Sequence, residues 1–243
     1  MSINYTAPPY PRIFIYWGPG TANGGRMDVL VMFQKNYYEY HQWTTFAQLD
    51  TNLRIGDAIV FPGCNSEQVG DELQTINSMT AEEVRNKIQS YTDAYMHLIF
   101  ISNGGYLPSV AYSTFDYFGI FYYTGNRDGS GNIGRVTLDI DPTYLYPNGG
   151  LDLLFTEAPV FYQTLPSNYD IIATYQAIPP SGFNGVNAGN VVNSPAILYN
   201  ENTPQLGAVL IVNIQFEKGN GPKTAYKQFF KLFEDLIVSK NII

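Results

Sequence analysis

Apolar runs punctuated by glycine set the rhythm of the first hundred residues. Ile13–Tyr16 is apolar throughout and stops at Gly18-Pro19-Gly20, which predicts a buried strand running into a tight turn. From Gly25 to Gln34, Met27, Leu30, Val31 and Phe33 recur at mostly helical spacing. The stretch "YYEYHQWTTF", residues 37–46, is aromatic and alternates well enough for a second strand. Ala58–Phe61 predicts a third strand, again stopping at Pro62-Gly63. "MTAEEVRNKIQSYTDA" then carries a capping box, with Thr80 as N-cap and Glu83 three residues on, and opens a helix. "HLIFIS", residues 97–102, is the fourth strand, and it leads into Gly104-Gly105.

Near-continuously apolar strands that alternate with helices imply a parallel sheet covered on both faces. Ligands of such sheets bind beyond the carboxyl ends of the strands. Three predicted strands end there in glycine turns, and that convergence marks the candidate crevice. The second half changes character. Tyr112 to Pro195 is turn-rich and β-leaning, and "SPAILYNENTPQLGAVLIVNIQFE" reads as a hairpin whose second strand is Ala208–Asn213. A closing helix over about Lys223–Val238 presents Phe229, Phe230, Leu232, Phe233 and Leu236 as a buried stripe. With no fixed-period repeat and no linker, residues 1–243 read as a single domain.

Charge narrows the function classes. The net charge is −8, and no Lys or Arg occurs between Arg135 and Lys218, so most of the surface cannot supply the basic stripe that nucleic acid requires. The five lysines from Lys218 to Lys240 lie in or beside the closing helix and are expected on its solvated face. No apolar run approaches the roughly 20 residues of a membrane span, and "MSINYTAPPYPR" lacks the charged and apolar regions of a secretory signal. A soluble protein follows. Cys64 is the only cysteine, which excludes an internal disulfide and any multi-cysteine zinc site. No cofactor or metal is expected. Twenty Tyr and 22 Gly against only 14% charged residues suit adaptable contacts within an assembly of protein subunits, self-assembly included. That composition resembles virion proteins, so a virion or host cytoplasm is the setting it suggests.

Six segments in order carry a resemblance: "IYWGPGT" (Ile15–Thr21), "VFPGC" (Val60–Cys64), "IFISNGGYL" (Ile99–Leu107), "YPNGG" (Tyr146–Gly150), "IIATYQ" (Ile171–Gln176) and "VLIVNIQFE" (Val209–Glu217). Together they resemble biotin–protein ligase N-terminal-like domains of the class I glutamine amidotransferase-like superfamily. The resemblance implies an α/β, flavodoxin-like three-layer sandwich with a mostly parallel central sheet and a β-rich elaboration in the second half. It also implies a nucleophile elbow after a central strand and a His-x-Glu pair after a late one. Laid over this chain, the elbow falls on Ser102 instead of cysteine, and the His-x-Glu positions fall on Asn213 and Gln215. The oxyanion-type loop becomes "FPGC", with Cys64 in place of a glycine. A register shift of two would bring Glu217 into the place of Gln215, but no histidine would accompany it.

Each departure removes chemistry. A serine hydroxyl needs an adjacent base to attack, an asparagine cannot accept and return a proton, and a glutamine cannot carry the charge that steadies an imidazolium. The chain's two histidines offer no substitute. His97 lies at the far end of its strand from Ser102, and both His97 and His41 read as surface or strand-edge residues. Asp139 and Asp141 would share a strand face, although Asp141-Pro142 is also an ordinary turn start. Asp71, Glu72, Glu82 and Glu83 lie at or near helix starts, where acids complement the dipole.

These residues predict a catalytically inactive amidotransferase-like domain working as a structural or interaction protein. One alternative is a hydrolase or amidotransferase-like enzyme using Ser102 or Cys64. Another is a small-ligand module whose crevice is lined by Gly18, Gly20, Thr21, Gly63, Cys64, Ser102, Asn103, Gly104 and Asn148.

Overall fold

Short, wholly apolar strands need cover on both faces, and the architecture supplies it. The structure is a computed structural model and describes residues 11–18, 23–62, 69–101, 122–124, 136–145, 155–156, 160–162, 168–176, 193, 195–212 and 222–242. The first half runs β1 (Ile13–Tyr16), α1 (Asn23–Lys35), β2 (Tyr40–Trp43), α2 (Phe46–Asn52), β3 (Ala58–Phe61), α3 (Val69–Asn77), α4 (Ala81–Asp93) and β4 (His97–Ile101). The second half adds β5 (Tyr122–Thr124), β6 (Val136–Ile140), β7 (Phe155–Thr156), β8 (Val160–Tyr162), β9 (Asp170–Gln176), β10 (Pro195–Asn200) and β11 (Val209–Val212). Helix α5 (Pro222–Phe233) continues into a π-helical turn over Glu234–Val238 and a 3₁₀ turn over Ser239–Ile242.

Among the described residues one sheet has nine strands in the order β2-β1-β3-β4-β11-β10-β9-β6-β7, and β5 pairs with β8 separately. The five strands from β2 to β11 are parallel. From β11 outward every pairing is antiparallel, beginning with the hairpin of β10 and β11. The α/β, flavodoxin-like reading is therefore borne out: a parallel half and a β-rich elaboration share one sheet.

Alternation within each strand sorts the core into two layers. Ile13, Ile15, Val60, Ile99, Ile101, Leu210 and Val212 face Val29, Met32, Phe33, Phe229 and Phe233 of α1 and α5. Phe14, Tyr16, Ile59, Phe61, Leu98, Phe100 and Ile211 face Phe46, Leu49, Leu73, Val84 and Ile88 of α2, α3 and α4. The Phe33 ring meets Phe229, Phe230 and Phe233 edge-on at 5.4–5.9 Å, so the expected stripe on the closing helix is the seam against α1.

Local signals explain most boundaries. Thr80 and Glu83 form the expected capping box: the Thr80 hydroxyl accepts from the Glu83 N–H at 3.2 Å, and the Glu83 carboxylate accepts from the Thr80 N–H at 2.7 Å. The second strand is shorter than its aromatic run. It stops at Trp43, because Thr45 and Gln48 form another capping box and Phe46 enters helix α2.

Two expectations about charged and titratable groups are overturned. His97 is fully buried instead of lying at the surface, because the β10–β11 turn and the 3₁₀ turn close over it. Lys240 is 5% exposed and does not stand on a solvated helix face. Its ammonium donates to the carbonyls of Glu201 and, at 3.3 Å, Thr203, which replace part of its water shell.

Candidate functional site

Parallel pairing brings the carboxyl ends of β1, β3, β4 and β11 side by side. Ile15 pairs with Val60, Phe61 with Phe100, and Ile101 with Val212. Tyr16, Phe61, Ile101 and Val212, the last residues of these strands, consequently stand along one edge of the sheet. The chain also reverses its direction of winding there. From β1 it crosses outward to β2, and it then returns to β3 on the other side of β1. A topological switch point of this kind opens a crevice at the strand ends.

The described part of the crevice is built around Gly18. A Cβ at Gly18 would lie 2.5 Å from Glu72 Oε2 and closer still to the Tyr16 hydroxyl, so only glycine allows the turn to pass this close. The Tyr16 hydroxyl donates to Glu72 Oε2 at 2.8 Å. On the other side, Arg26 Nη1 donates to the Gly18 carbonyl at 3.2 Å, and its guanidinium stacks 4.9 Å from the centre of the Trp17 ring. The Trp17 N–H donates to the Trp43 carbonyl at 2.8 Å, extending the β1–β2 ladder by one step. The result is a rim with a carboxylate on one side and a guanidinium on the other. These groups hold position and charge.

Of the residues expected to line the site, Gly18 is described. Gly20, Thr21, Gly63, Cys64, Ser102, Asn103, Gly104, Asn148, Asn213 and Gln215 lie outside the described residues. What the structure adds is Tyr16, Arg26 and Glu72. Glu72 reads in sequence as a dipole-complementing acid on α3, and only its meeting with Tyr16, 56 residues away, shows its second role. Arg26 carries a weak signal, as the one cation between Arg12 and Lys35 and close after the glycine turn.

Neither histidine belongs to this edge. His97 begins β4 and is four residues before Ile101, about 13 Å along the strand. Its ring is committed there. The Ala208 N–H donates to Nδ1 at 3.0 Å, which leaves the proton on Nε2, facing Asn241 Oδ1 at 3.0 Å. Burial pushes its pKa down to about 4; the bond to Asn241 acts against that shift and the Lys240 charge adds to it. His41 lies on β2, three strand spacings, about 14 Å, from β4. It stacks on Phe14 at 4.9 Å and pairs with Glu39 at 2.8 Å.

The remaining carboxylates are elsewhere. Asp141 Oδ1 accepts from the Thr143 N–H at 2.8 Å, the turn start its Asp-Pro sequence allows. With Asp139 it borders a shallow groove against Ile171–Thr174 on the antiparallel wing, away from the crevice. Among the described residues no three His, Cys, Asp or Glu side chains gather as metal ligands, and no helix is long and apolar enough to cross a membrane.

Solved structures share this architecture from end to end. A Thermoplasma acidophilum protein assigned provisionally as a GMP synthase subunit superposes with a TM-score of 0.56 at 9% identity, over 96% of this chain and 95% of its own. PurLQS from Thermotoga maritima gives 0.52 at 15% identity, over 93% of this chain and 99% of that one. What the chain shares with them is the fold, an α/β sandwich around a mostly parallel sheet. No protein-family model and no curated protein sequence matches the chain.

Proposed function

We propose that residues 1–243 form one biotin–protein ligase N-terminal-like domain that has lost its triad and acts as an interaction module. The observation that carries this reading is the fate of the two histidines. One is sealed at the opposite end of β4 with both ring nitrogens engaged, and the other is on an outer strand paired with Glu39. A serine elbow at Ser102 would then have no imidazole to take its proton, and Asn213 and Gln215 offer amides where transfer and charge are required.

Association is supported by composition and by the neighbours, one of which is itself assigned as part of a larger enzyme. Tyr37 adds to this: it stands 97% exposed in the turn that leads to β2, the outermost strand of the parallel half among the described residues. Aromatic side chains in such positions are enriched at protein interfaces. The rim of Tyr16, Glu72 and Arg26 favours a second use, retention of a small polar ligand in the crevice.

The test is turnover of glutamine, simple amides and esters by the wild type, Ser102→Ala and Cys64→Ser at equal concentration. No turnover above buffer is expected from any of them. Activity in the wild type that is lost in either variant would overturn the inactive reading. Sedimentation across a hundredfold range of concentration examines the other half: a monomer throughout, with nothing copurifying from native material, would refute the interaction role.

A further inference from the structure

Four turns meet at the amino edge of the sheet, opposite the crevice, and His97 is at their centre. The β10–β11 turn supplies the Ala208 N–H to Nδ1 at 3.0 Å, and the 3₁₀ turn supplies Asn241 Oδ1 to Nε2 at 3.0 Å. The Asn241 amide in turn donates to the Gly56 carbonyl at 2.9 Å in the turn before β3. Gly56 has φ +86°, and a Cβ there would press on Asn241 Oδ1 at 2.9 Å, so the seat for Asn241 depends on that glycine. The fourth turn joins α4 to β4. Its Tyr95 hydroxyl donates to the Lys240 carbonyl at 2.9 Å, and Thr92 O, in the last turn of α4, accepts from the Gly207 N–H at 2.8 Å.

The two long turns are also tied to each other, because Lys240 donates to the carbonyls of Glu201 and Thr203. The charged and titratable groups around the ring are therefore Lys240 on the 3₁₀ turn, Glu201 on the β10–β11 turn, Tyr95 with its ring 5.5 Å away, and Asp57 below. Asp57 is already occupied by Arg12 and by the Arg54 N–H. Among the described residues the nearest cation is Lys240, and no carboxylate accepts from the ring.

This network has one polarity. The Ala208 N–H requires a bare Nδ1, and a proton placed on Nδ1 would set one N–H against another at 3.0 Å. The bond to Asn241 survives that proton and the bond to Ala208 does not. We infer that His97 is an acid-operated latch: its protonation releases the β10–β11 turn from the amino edge of the sheet while the parallel core stays folded. The released piece is the segment from Glu201 to Ala208, and the 3₁₀ turn loses its hold through Lys240. The inference concerns the edge away from the crevice and holds whatever the crevice does.

Amide exchange of the full ¹⁵N-labelled chain tests it directly. Ala208 is the reporter, and Ile99 and Leu210, in the middle of neighbouring core strands, are the reference amides. Once released, the ring titrates near its ordinary 6.5, whereas latched it resists down to about 4. Ala208 protection should then fall about tenfold per pH unit across that window, about 300-fold in all, while the reference amides hold. His97→Asn keeps an acceptor for Ala208, and His97→Gln keeps a donor for Asn241. A folded form of either should lose the slope. Should both misfold, the wild-type ring nitrogens give the second measurement, with a proton on Nε2 alone at pH 7 and on both below pH 4. Ala208 protection that ignores pH, that falls together with the reference amides, or that keeps its slope without the imidazole would overturn the latch.

Discussion

Asp57 is the acceptor on which the amino ends of β1 and β3 converge, and Asp57→Asn tests how much that clamp contributes. The side chain is fully buried, and its partner Arg12 is only 11% exposed. Oδ2 accepts from Arg12 Nη2 at 2.6 Å and from the Arg54 N–H at 2.7 Å, while Oδ1 accepts from Arg12 Nε at 3.2 Å and from the Arg12 N–H at 3.3 Å. An asparagine amide must point its NH2 at one of these donor pairs. The less costly orientation faces the longer pair, which still forfeits two bonds and leaves a mostly buried guanidinium without its counter-charge. Breaking one partner out of a buried ion pair costs about 3–5 kcal/mol. For a chain of this length that is a fall in Tm of about 6–20 °C. Urea denaturation at neutral pH, with Arg12→Met and the double variant completing a cycle, measures it. The double variant should recover part of the loss, because no charge is left buried alone. A single-variant cost below about 1 kcal/mol would refute the reasoning and class the pair with solvent-screened surface bridges.

Three further outcomes follow from named contacts. His97 is held near 4 in the folded chain and titrates near 6.5 when unfolded, so its contribution to stability is complete above pH 6.5 and is lost as pH falls toward 4. Denaturation curves should lose about 3 kcal/mol across that window, and His97→Gln should flatten that part of the profile. Gly207→Ala drives a Cβ into the Met96 carbonyl, 2.5 Å from its carbon, and should destabilise by about 3 kcal/mol in urea; a neutral result would mean that the α4–β4 turn yields freely. Thr80→Ala removes the cap of α4 and should lower Tm by about 2–4 °C. In the same variant the Glu83 carboxyl, held below its ordinary value by its bonds to Thr80, should titrate higher in a carboxyl-resolved NMR experiment.

What could be read from the chain alone is whatever depends on near neighbours. A strand buried on both faces must be apolar at every position, and "IFIY", "AIVF" and "HLIFI" announce β1, β3 and β4 by that rule. The cap of α4 and the stripe of α5 are set within four residues. The start of α2 was equally local, in Thr45-x-x-Gln48, but the preceding β-forming aromatics masked it. Alternation of strand and helix was enough for the fold class. The resemblance matched Ser102 and Asn213 to the ends of two strands; the structure pairs Ile101 with Val212, the last described residues of those strands, and Ser102 and Asn213 themselves lie outside the described residues.

Tertiary structure alone decided which polar groups meet. A histidine before Leu98 is, locally, equally compatible with a solvated strand end. It is buried because Ala208, 111 residues away, and Asn241, 144 away, supply the donor and acceptor counterparts that make a neutral imidazole stable in the interior. Lys240 sits inside for the same reason, carried there by the carbonyls of a turn 37–39 residues earlier. Glu72 becomes part of the crevice only through Tyr16. Hydrophobic burial needs no particular partner and leaves its mark at every apolar position, whereas a buried polar group is stable only beside its complement, and that complement is set by how distant turns close on one another.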